Sequence, residues 1–230
     1  MRPLTVPILL CAALSGVACA DDPVAPAAPL VIEMNPGASG NGQSAEVGST
    51  LPLPLRVKVT RAGQPVEGVV VSWAAGPGNG TVGSASTTNA NGVGAVIWVL
   101  PTSSGSKSAT ATLVGAEGSP ITFTATANPG QATSFSIFGG NNQTVSVGAA
   151  AGLPLAVLLQ DQHGNPIVGV DVEWVLVSGS AVLSATGTVT GVIGSTFIDV
   201  TGGATPGPAV IRAIPDVALP SLDFNLTVVP

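Results

Sequence analysis

The chain has 230 residues, of which 45% are hydrophobic and only 8% are charged, and it contains 30 glycines and 20 prolines. So few charges, with only six basic residues at a net charge of −6, exclude a coiled coil and a basic nucleic-acid-binding protein. One histidine, no tyrosine and two cysteines, both in the first twenty residues, leave almost no candidates for acid–base, disulfide or cysteine–metal chemistry. We therefore expect a turn-rich, non-enzymatic protein without a cofactor.

Residues 1–20 predict an export signal, because a short apolar segment (residues 4–14) is followed by small residues and cannot span a bilayer. Two cleavage sites remain open. The residues before Cys19 resemble the lipobox of bacterial lipoproteins, and cleavage there would leave a lipidated Cys19 that attaches the chain to the outer membrane. Cleavage before Asp21 would instead release the chain to the periplasm or the exterior. Residues 21–29, rich in proline and alanine, would form a tether.

Beyond the tether, one unit is repeated after about 100 residues. Identical residues recur in the same order: Gln43 and Gln143, Leu53 and Leu153, Leu55 and Leu155, Gly63 and Gly164, Pro65 and Pro166, Trp73 and Trp174, Gly94 and Gly194, and Phe123 and Phe224. A period of this length is that of a domain, not of a solenoid repeat. It predicts two domains, over residues 30–128 and 131–230, joined by a linker too short to be flexible.

Each copy alternates hydrophobic and polar residues with a period of two, which is typical of antiparallel strands with one buried face. The inward-facing residues predicted from this pattern are Leu53, Leu55, Val57, Val59, Trp73 and Phe123 in the first copy, and Leu153, Leu155, Val157, Leu159, Trp174 and Phe224 in the second. The two tryptophans would be the largest residues between the sheets. No segment has the 3.6-residue period of a helix, so the predicted fold is all-β.

Turn residues separate these runs. They are Gly63, Pro65 and Gly92 in the first copy, and Gly164, Asn165 and Pro166 in the second. Glycine permits positive φ and proline holds φ fixed, so these positions predict tight turns. About seven strands in each 100-residue copy predict two tandem immunoglobulin-like β-sandwich domains.

The stretch from Asp161 to Trp174 reads DQHGNPIVGVDVEW. It resembles the signature of the bacterial Ig-like group 1 domain, the stalk module of invasin- and intimin-type adhesins. The stretch from Thr88 to Gly94, TNANGVG, resembles the second motif of that family, and each copy has a degraded form of the motif that the other keeps. The resemblance implies tandem stalk domains on a cell surface.

His163 is the one candidate for acid–base chemistry, two residues after Asp161 and two before Asn165. Alternating donors could hold a metal ion, but the bidentate glutamate of a calcium loop is missing and no nucleophilic serine elbow exists. The pattern favours a solvated histidine in a turn. The carboxylates Asp171, Glu173 and Asp199 and the hydrophobic residues Ile97 and Phe197 fall at positions predicted to face solvent. No catalytic, cofactor-binding or metal-binding residue is predicted.

These expectations combine into an exported cell-surface protein that acts as a stalk, a spacer or an adhesion module. The alternative is a carbohydrate- or protein-binding accessory module of an extracellular assembly, with an unknown protein or glycan as its ligand. A shallow aromatic patch would favour this alternative, but aromatic residues make up only 3% of the chain and are mostly assigned to the core.

Overall fold

The computed structural model describes residues 27–230, which form strands and turns. The predicted signal over residues 1–20, its Cys19 and the tether as far as residue 26 lie outside the described residues. Within residues 27–230 there is no helix of the length and hydrophobicity that crossing a bilayer requires. The all-β prediction is confirmed.

The first domain consists of short strands around one core. They are β1 (Leu30–Met34), β2 (Gln43–Glu46), β3 (Leu55–Arg61), β4 (Gln64–Pro65), β5 (Val70–Ala75), β6 (Thr81–Val82), β7 (Ala85–Thr87), β8 (Val93–Val96), β9 (Trp98–Val99), β10 (Gly105–Thr112) and β11 (Ile121–Asn128). In one sheet β3 pairs with β1, β4 and β8, and the other has the order β2-β11-β10-β5-β7. The pairing of β2 with β11 is parallel, and the pairings of β10 with β5 and β11 are antiparallel.

The second domain repeats this architecture. Its strands are β12 (Ala132–Gly139), β13 (Gln143–Ser146), β14 (Leu155–Asp161), β15 (Asp171–Ser178), β16 (Ala181–Leu183), β17 (Gly187–Val189), β18 (Ser195–Ile198), β19 (Val200–Gly202), β20 (Gly207–Pro215) and β21 (Leu222–Val229). One sheet has the order β12-β14-β18 and the other the order β13-β21-β20-β15-β17, again with a parallel pair, β13 with β21. The chain is thus two tandem Ig-like sandwiches, each with more and shorter strands than the seven expected.

The core of each sandwich is built around the tryptophan of β5 or β15. Trp73 is 4% exposed, its ring centroid lies 5.6 Å from that of Phe123, and its indole N–H donates to the Ser86 hydroxyl at 2.8 Å. The corresponding residues of the second domain are Trp174, Phe224 and Thr188, with the same two distances. The hydroxyl partner satisfies the polar atom of an otherwise apolar ring, so the whole side chain can be buried.

The first domain contains a second core tryptophan that the alternation did not predict. Trp98 is completely buried, and its indole N–H donates to the carbonyl oxygen of Asn79 at 2.8 Å. It pairs with Val82, as Val200 pairs with Leu183 in the second domain, so Val200 is its counterpart. The two cores therefore have the same topology but are filled differently.

Leu53 and Leu153, predicted to face inward, are 55% and 61% exposed. The strands β3 and β14 begin only two residues later, and the leucines lie in the preceding turns. Each leucine is held there by its backbone, because its N–H donates to a glutamine side chain, Gln43 or Gln143, at 2.8 Å. The residue before a strand need not continue the alternation of that strand.

The expected match of Gly94 with Gly194 is also wrong. Gly194 corresponds to Gly92. The carbonyl oxygen of Gly92 accepts from the N–H of Val59, and that of Gly194 accepts from the N–H of the equivalent Leu159, both at 2.8 Å. Both glycines have positive φ, 76° and 72°, and a Cβ on either would collide with the carbonyl oxygen of that same strand residue. Glycine is required at this turn for both reasons.

The turns between β3 and β4 and between β14 and β15 have the geometry that their glycines and prolines predict. Gly63 and Gly164 both adopt φ of 79°. Pro65 pairs with Thr60, and Pro166 forms the equivalent bridge with Gln160. In the second domain this turn continues into the contact with the first domain.

Candidate functional site: the junction between the two domains

The most highly organised polar cluster in the described chain surrounds Asp161, at the end of β14. Asp161 is 3% exposed, and its carboxylate accepts four hydrogen bonds. Oδ1 accepts from the backbone N–H groups of His163 at 2.8 Å and Asn165 at 2.9 Å. Oδ2 accepts from the N–H of Gly130 at 2.9 Å and from the Asn165 side-chain amide at 2.8 Å. The carboxylate therefore ties the turn of the second domain to the linker.

Burial by itself would raise the pKa of Asp161. The hydrogen bonds from the Asn165 side chain and from the backbone of Gly130, Asn165 and His163 outweigh burial and lower the pKa from 3.8 to about 2. The group is therefore ionised at neutral pH, and its charge is dispersed over four N–H donors.

Asn165 makes the contact between the two domains. Its side chain is 7% exposed. The amide nitrogen donates to the carbonyl oxygen of Thr102 at 2.8 Å, and Oδ1 accepts from the N–H of Ser104 at 2.7 Å. Both partners belong to the loop between β9 and β10 of the first domain. One amide group thus bonds to both domains, because its second N–H is donated to Asp161.

The loop that receives Asn165 is braced from within the first domain by Lys107. This lysine is 8% exposed, and its ammonium group donates to the Ser103 hydroxyl at 3.1 Å and to the carbonyl oxygen of Ser104 at 3.0 Å. A buried ammonium group needs such partners. Their arrangement holds the carbonyl and N–H groups of the loop in place for the amide of Asn165.

These contacts restrain the second domain at two separate places. The linker between β11 and β12 is only Pro129, Gly130 and Gln131, and Asp161 holds the middle one. Asn165 holds the loop at Thr102 and Ser104. One attachment would allow rotation in every direction about itself, whereas two separated attachments leave only rotation about the line that joins them. We call Asp161, Asn165 and Lys107, with the backbone groups they bind, the junction lock.

The first domain lacks the same residues on its own turn. Arg61 lies opposite the first residue of β1, as Asp161 lies opposite the first residue of β12. Gln64 precedes the turn proline, as Asn165 does, and is exposed. A cation replaces the carboxylate, so the hydrogen bonds that orient Asn165 have no counterpart in this turn.

The far end of the second domain lacks the receiving loop. Ala111 and Ala213 are equivalent, because each lies opposite the core tryptophan of its domain. Counting back the same number of residues from each, Ser104 corresponds to Pro206 and Lys107 corresponds to Ala209. Proline has no N–H to donate to an asparagine, and alanine cannot brace the loop. The described chain therefore contains the junction lock once, between its two domains.

The single histidine is exposed, as the turn motif predicts. Its ring Nε2 lies 3.3 Å from Nε2 of the exposed Gln162, and only its backbone N–H reaches Asp161. Asp161 and Asn165 are buried: Asn165 bonds to the loop of the first domain, and Asp161 bonds to Asn165 and to Gly130 of the linker. Residues 27–230 contain no group of three or more histidine, cysteine, aspartate or glutamate side chains arranged to hold a metal ion.

The other candidate residues are spread over the surface. The carboxylates Asp171, Glu173 and Asp199 are exposed, and so are the hydrophobic residues Ile97 and Phe197. A depression of about 510 Å³ beside the linker is lined by Gly130, Gln131, Ala132, Ile167, Val217 and Ala218, none of which has an ionisable side chain. It therefore supplies no acid, base or nucleophile.

Acid should weaken the junction lock. The pKa of Asp161 is lowered on folding from 3.8 to about 2, so its contribution is fully present above about pH 4 and is lost as the pH falls towards 2. After allowance for solvent screening, we expect a loss of about 1–2 kcal/mol. The measurement is urea denaturation at several pH values for the wild type and for Asp161→Asn, which should lack this part of the pH dependence. Parallel pH profiles would contradict the assignment.

No family model matches the sequence, and no curated protein matches it. Its fold is similar to that of InvD from Yersinia pseudotuberculosis, with 19% identity and a TM-score of 0.57 over 88% of this chain and 57% of that chain. A weaker likeness is to the D00-D0 domain of Intimin, at 18% identity over 87% of this chain and 100% of that chain, with a TM-score of 0.41. Another is to the Escherichia coli adhesin FdeC, at 16% identity over 89% of this chain and 65% of that chain, with a TM-score of 0.44. At such identities the likeness to InvD is one of fold alone: this chain has the tandem Ig-like sandwich architecture.

Proposed function

We propose that this chain is an exported cell-surface protein in which two Ig-like domains form a stiff spacer or stalk. The observation that carries the proposal is the junction lock, in which Asn165 binds its own turn and the preceding domain at once. A flexible connector between independent binding domains would not need buried polar contacts on both sides of its linker. A spacer needs them, because its function is to hold a fixed orientation.

Surface attachment is supported by the sequence. The apolar segment within residues 1–20 has the pattern of an export signal, and a lipid on Cys19 would anchor the first domain close to the outer membrane. The stretch from Asp161 to Trp174 resembles the signature of adhesin stalk modules, and the structure gives that stretch a use, since its aspartate and asparagine form the contact between the domains. We propose membership of that family, and a non-enzymatic role, on these grounds.

The stiffness can be measured as a distance distribution between two spin labels. Both native cysteines, Cys11 and Cys19, precede residue 21, so a chain that starts at Asp21 has no cysteine to interfere. Labels on Thr122→Cys in β11 and Thr227→Cys in β21 would sit on exposed positions of the first and second domain. Double electron–electron resonance then reports how widely the two domains move relative to each other.

We expect a narrow distribution for the wild type and a broad one for Asn165→Ala. The substitution removes two hydrogen bonds between the domains, worth about 1 kcal/mol each, so undocked orientations should become about 30-fold more populated. Gln64→Ala is the matched control, because it alters the equivalent residue of the first domain, which is exposed. Equal widths for the wild type and Asn165→Ala would refute the spacer proposal.

A further inference from the structure

Two phenylalanines of the second domain are exposed, unlike the other aromatic residues of the described chain. Phe138 is 60% and Phe197 is 59% exposed. The remaining aromatic residues, which are buried or half-buried, are Trp73, Trp98, Phe123, Phe135, Trp174 and Phe224. A chain with so few aromatic residues leaves two of them in water, where each costs hydrophobic free energy unless a partner covers it.

The two rings lie on the same face of the β12-β14-β18 sheet, in one row across the strands. Ala156 of the central strand lies opposite Phe197 on one side and opposite Gly139, at a bulge that includes Phe138, on the other. The neighbours of Phe197 along β18 are buried, so its ring points away from the core. We call Phe138, Ala156 and Phe197 the aromatic platform.

The fold itself does not require this platform. Arg56 is the counterpart of Ala156 in the first domain, and the residue opposite Arg56 is Ala95. The first domain therefore has an alanine where the second domain has Phe197. The 100-residue offset would match Ile97 with Phe197, but strand pairing does not. Ile97 directly follows Val96, which lies opposite Leu55, and Asp199 directly follows Ile198, which lies opposite Leu155, so Ile97 corresponds to Asp199. The rings are a property of the second domain and not of the repeat.

The geometry points to a carbohydrate-binding site. The two residues flank one central strand, so their backbone positions are two strand spacings apart, about 10 Å, close to the separation of alternate sugars in an extended β-linked polysaccharide. The small Ala156 leaves the surface between the rings open. Ser136 and Ser195 lie in the adjacent row, opposite Leu158 on either side, so hydroxyl groups border the platform.

Charge indicates which class of glycan fits. Residues 131–230 contain six acidic residues and one basic residue, and that basic residue, Arg212, is paired with Asp223 at 2.6 Å. An anionic polymer would be repelled by this domain and would find no free arginine or lysine on it. We propose that the aromatic platform binds a neutral polysaccharide, with each phenylalanine ring stacked on the apolar face of one sugar ring.

The area of the platform argues against a second copy of the chain as the partner. Two phenylalanine rings exposed to this degree offer on the order of 250 Å². A specific protein–protein interface buries about 800 Å² on each partner. A polysaccharide can use a small stacking surface, because it contacts the protein along a narrow strip.

The test is binding of the chain starting at Asp21 to cellohexaose and chitohexaose, by calorimetry, and to insoluble cellulose and chitin, by sedimentation. We expect the wild type to bind at least one of these neutral probes. Phe138→Ala and Phe197→Ala should each weaken that binding about tenfold or more, because each removes one stacking surface. Ile97→Ala is the matched control, since it removes an equally exposed hydrophobic side chain, 62% exposed, from the other domain.

Several results would overturn the proposal. These are no binding of the wild type to any of the neutral probes, binding that both phenylalanine variants retain in full, or equally tight binding of an anionic polysaccharide such as alginate. A dimer that Phe197→Ala dissociates, without glycan binding, would make the platform an interface between copies. Asn165→Ala should bind the glycan as the wild type does, so this proposal and the spacer proposal can fail separately.

Discussion

Replacement of Trp174 by alanine should lower the free energy of unfolding of the second domain by about 3–5 kcal/mol. The side chain is 1% exposed, its ring lies 5.6 Å from that of Phe224, and its indole N–H donates to Thr188. Alanine would leave a large cavity between the sheets and the half-buried hydroxyl of Thr188 without its donor. Both effects destabilise the same few strands.

The measurement should resolve the domains, because Trp174 is the only tryptophan of residues 131–230 and its loss removes the fluorescence signal of that domain. Amide hydrogen exchange reports the stability of each domain separately: β15, β20 and β21 report on the second domain, and β5, β10 and β11 report on the first. Phe197→Ala is the control within the same domain, because its ring is exposed and its loss should change stability by less than about 0.5 kcal/mol. A loss below about 1 kcal/mol in Trp174→Ala would contradict the core assignment.

Replacement of Asp161 by alanine should cost about 2–4 kcal/mol. The substitution leaves four N–H donors without their acceptor: the backbone groups of Gly130, His163 and Asn165 and the side-chain amide of Asn165. Bonds to an ionised acceptor are stronger than neutral ones, and water reaches some of these donors once the carboxylate is gone. We also expect faster hydrogen exchange at Gly130, in the linker, since its N–H loses its partner.

Chemical denaturation of Asp161→Ala and of Asp199→Ala provides the comparison. Asp199 is exposed and belongs to the same domain, so its removal changes the net charge equally without opening a buried cluster. If the two variants lost the same stability, net charge and not the junction lock would account for the effect. The broadened distance distribution expected of Asn165→Ala should also appear in Asp161→Ala, because the carboxylate orients the amide.

The position of the junction lock bears on how the chain can assemble. The turn of the first domain has Arg61 and Gln64 in place of the acid and the amide, and the far loop of the second has Pro206 in place of a donor. The same contact therefore cannot join a second copy at either end.

Much of the fold could be predicted from residues that act locally. Strict alternation, as in the strand that contains Phe224, places every second side chain on the buried face, because the period of a strand is two. The positive φ of Gly63 and Gly164 follows from the lack of a side chain. Local patterns failed where the backbone leaves the ladder, as at Leu53, whose turn is fixed by a glutamine side chain ten residues away.

Sequence patterns were sufficient to establish the class of the protein: an all-β chain in which one unit occurs twice, with a tryptophan in each core and few groups capable of chemistry. The folded structure alone revealed the role of Asp161 and Asn165, because Asn165 binds a loop more than 60 residues earlier and Asp161 binds the linker, and no local period records such distant partners. It likewise decided that Phe138 and Phe197 share one row of a sheet, since strand pairing, not position along the chain, brings them together.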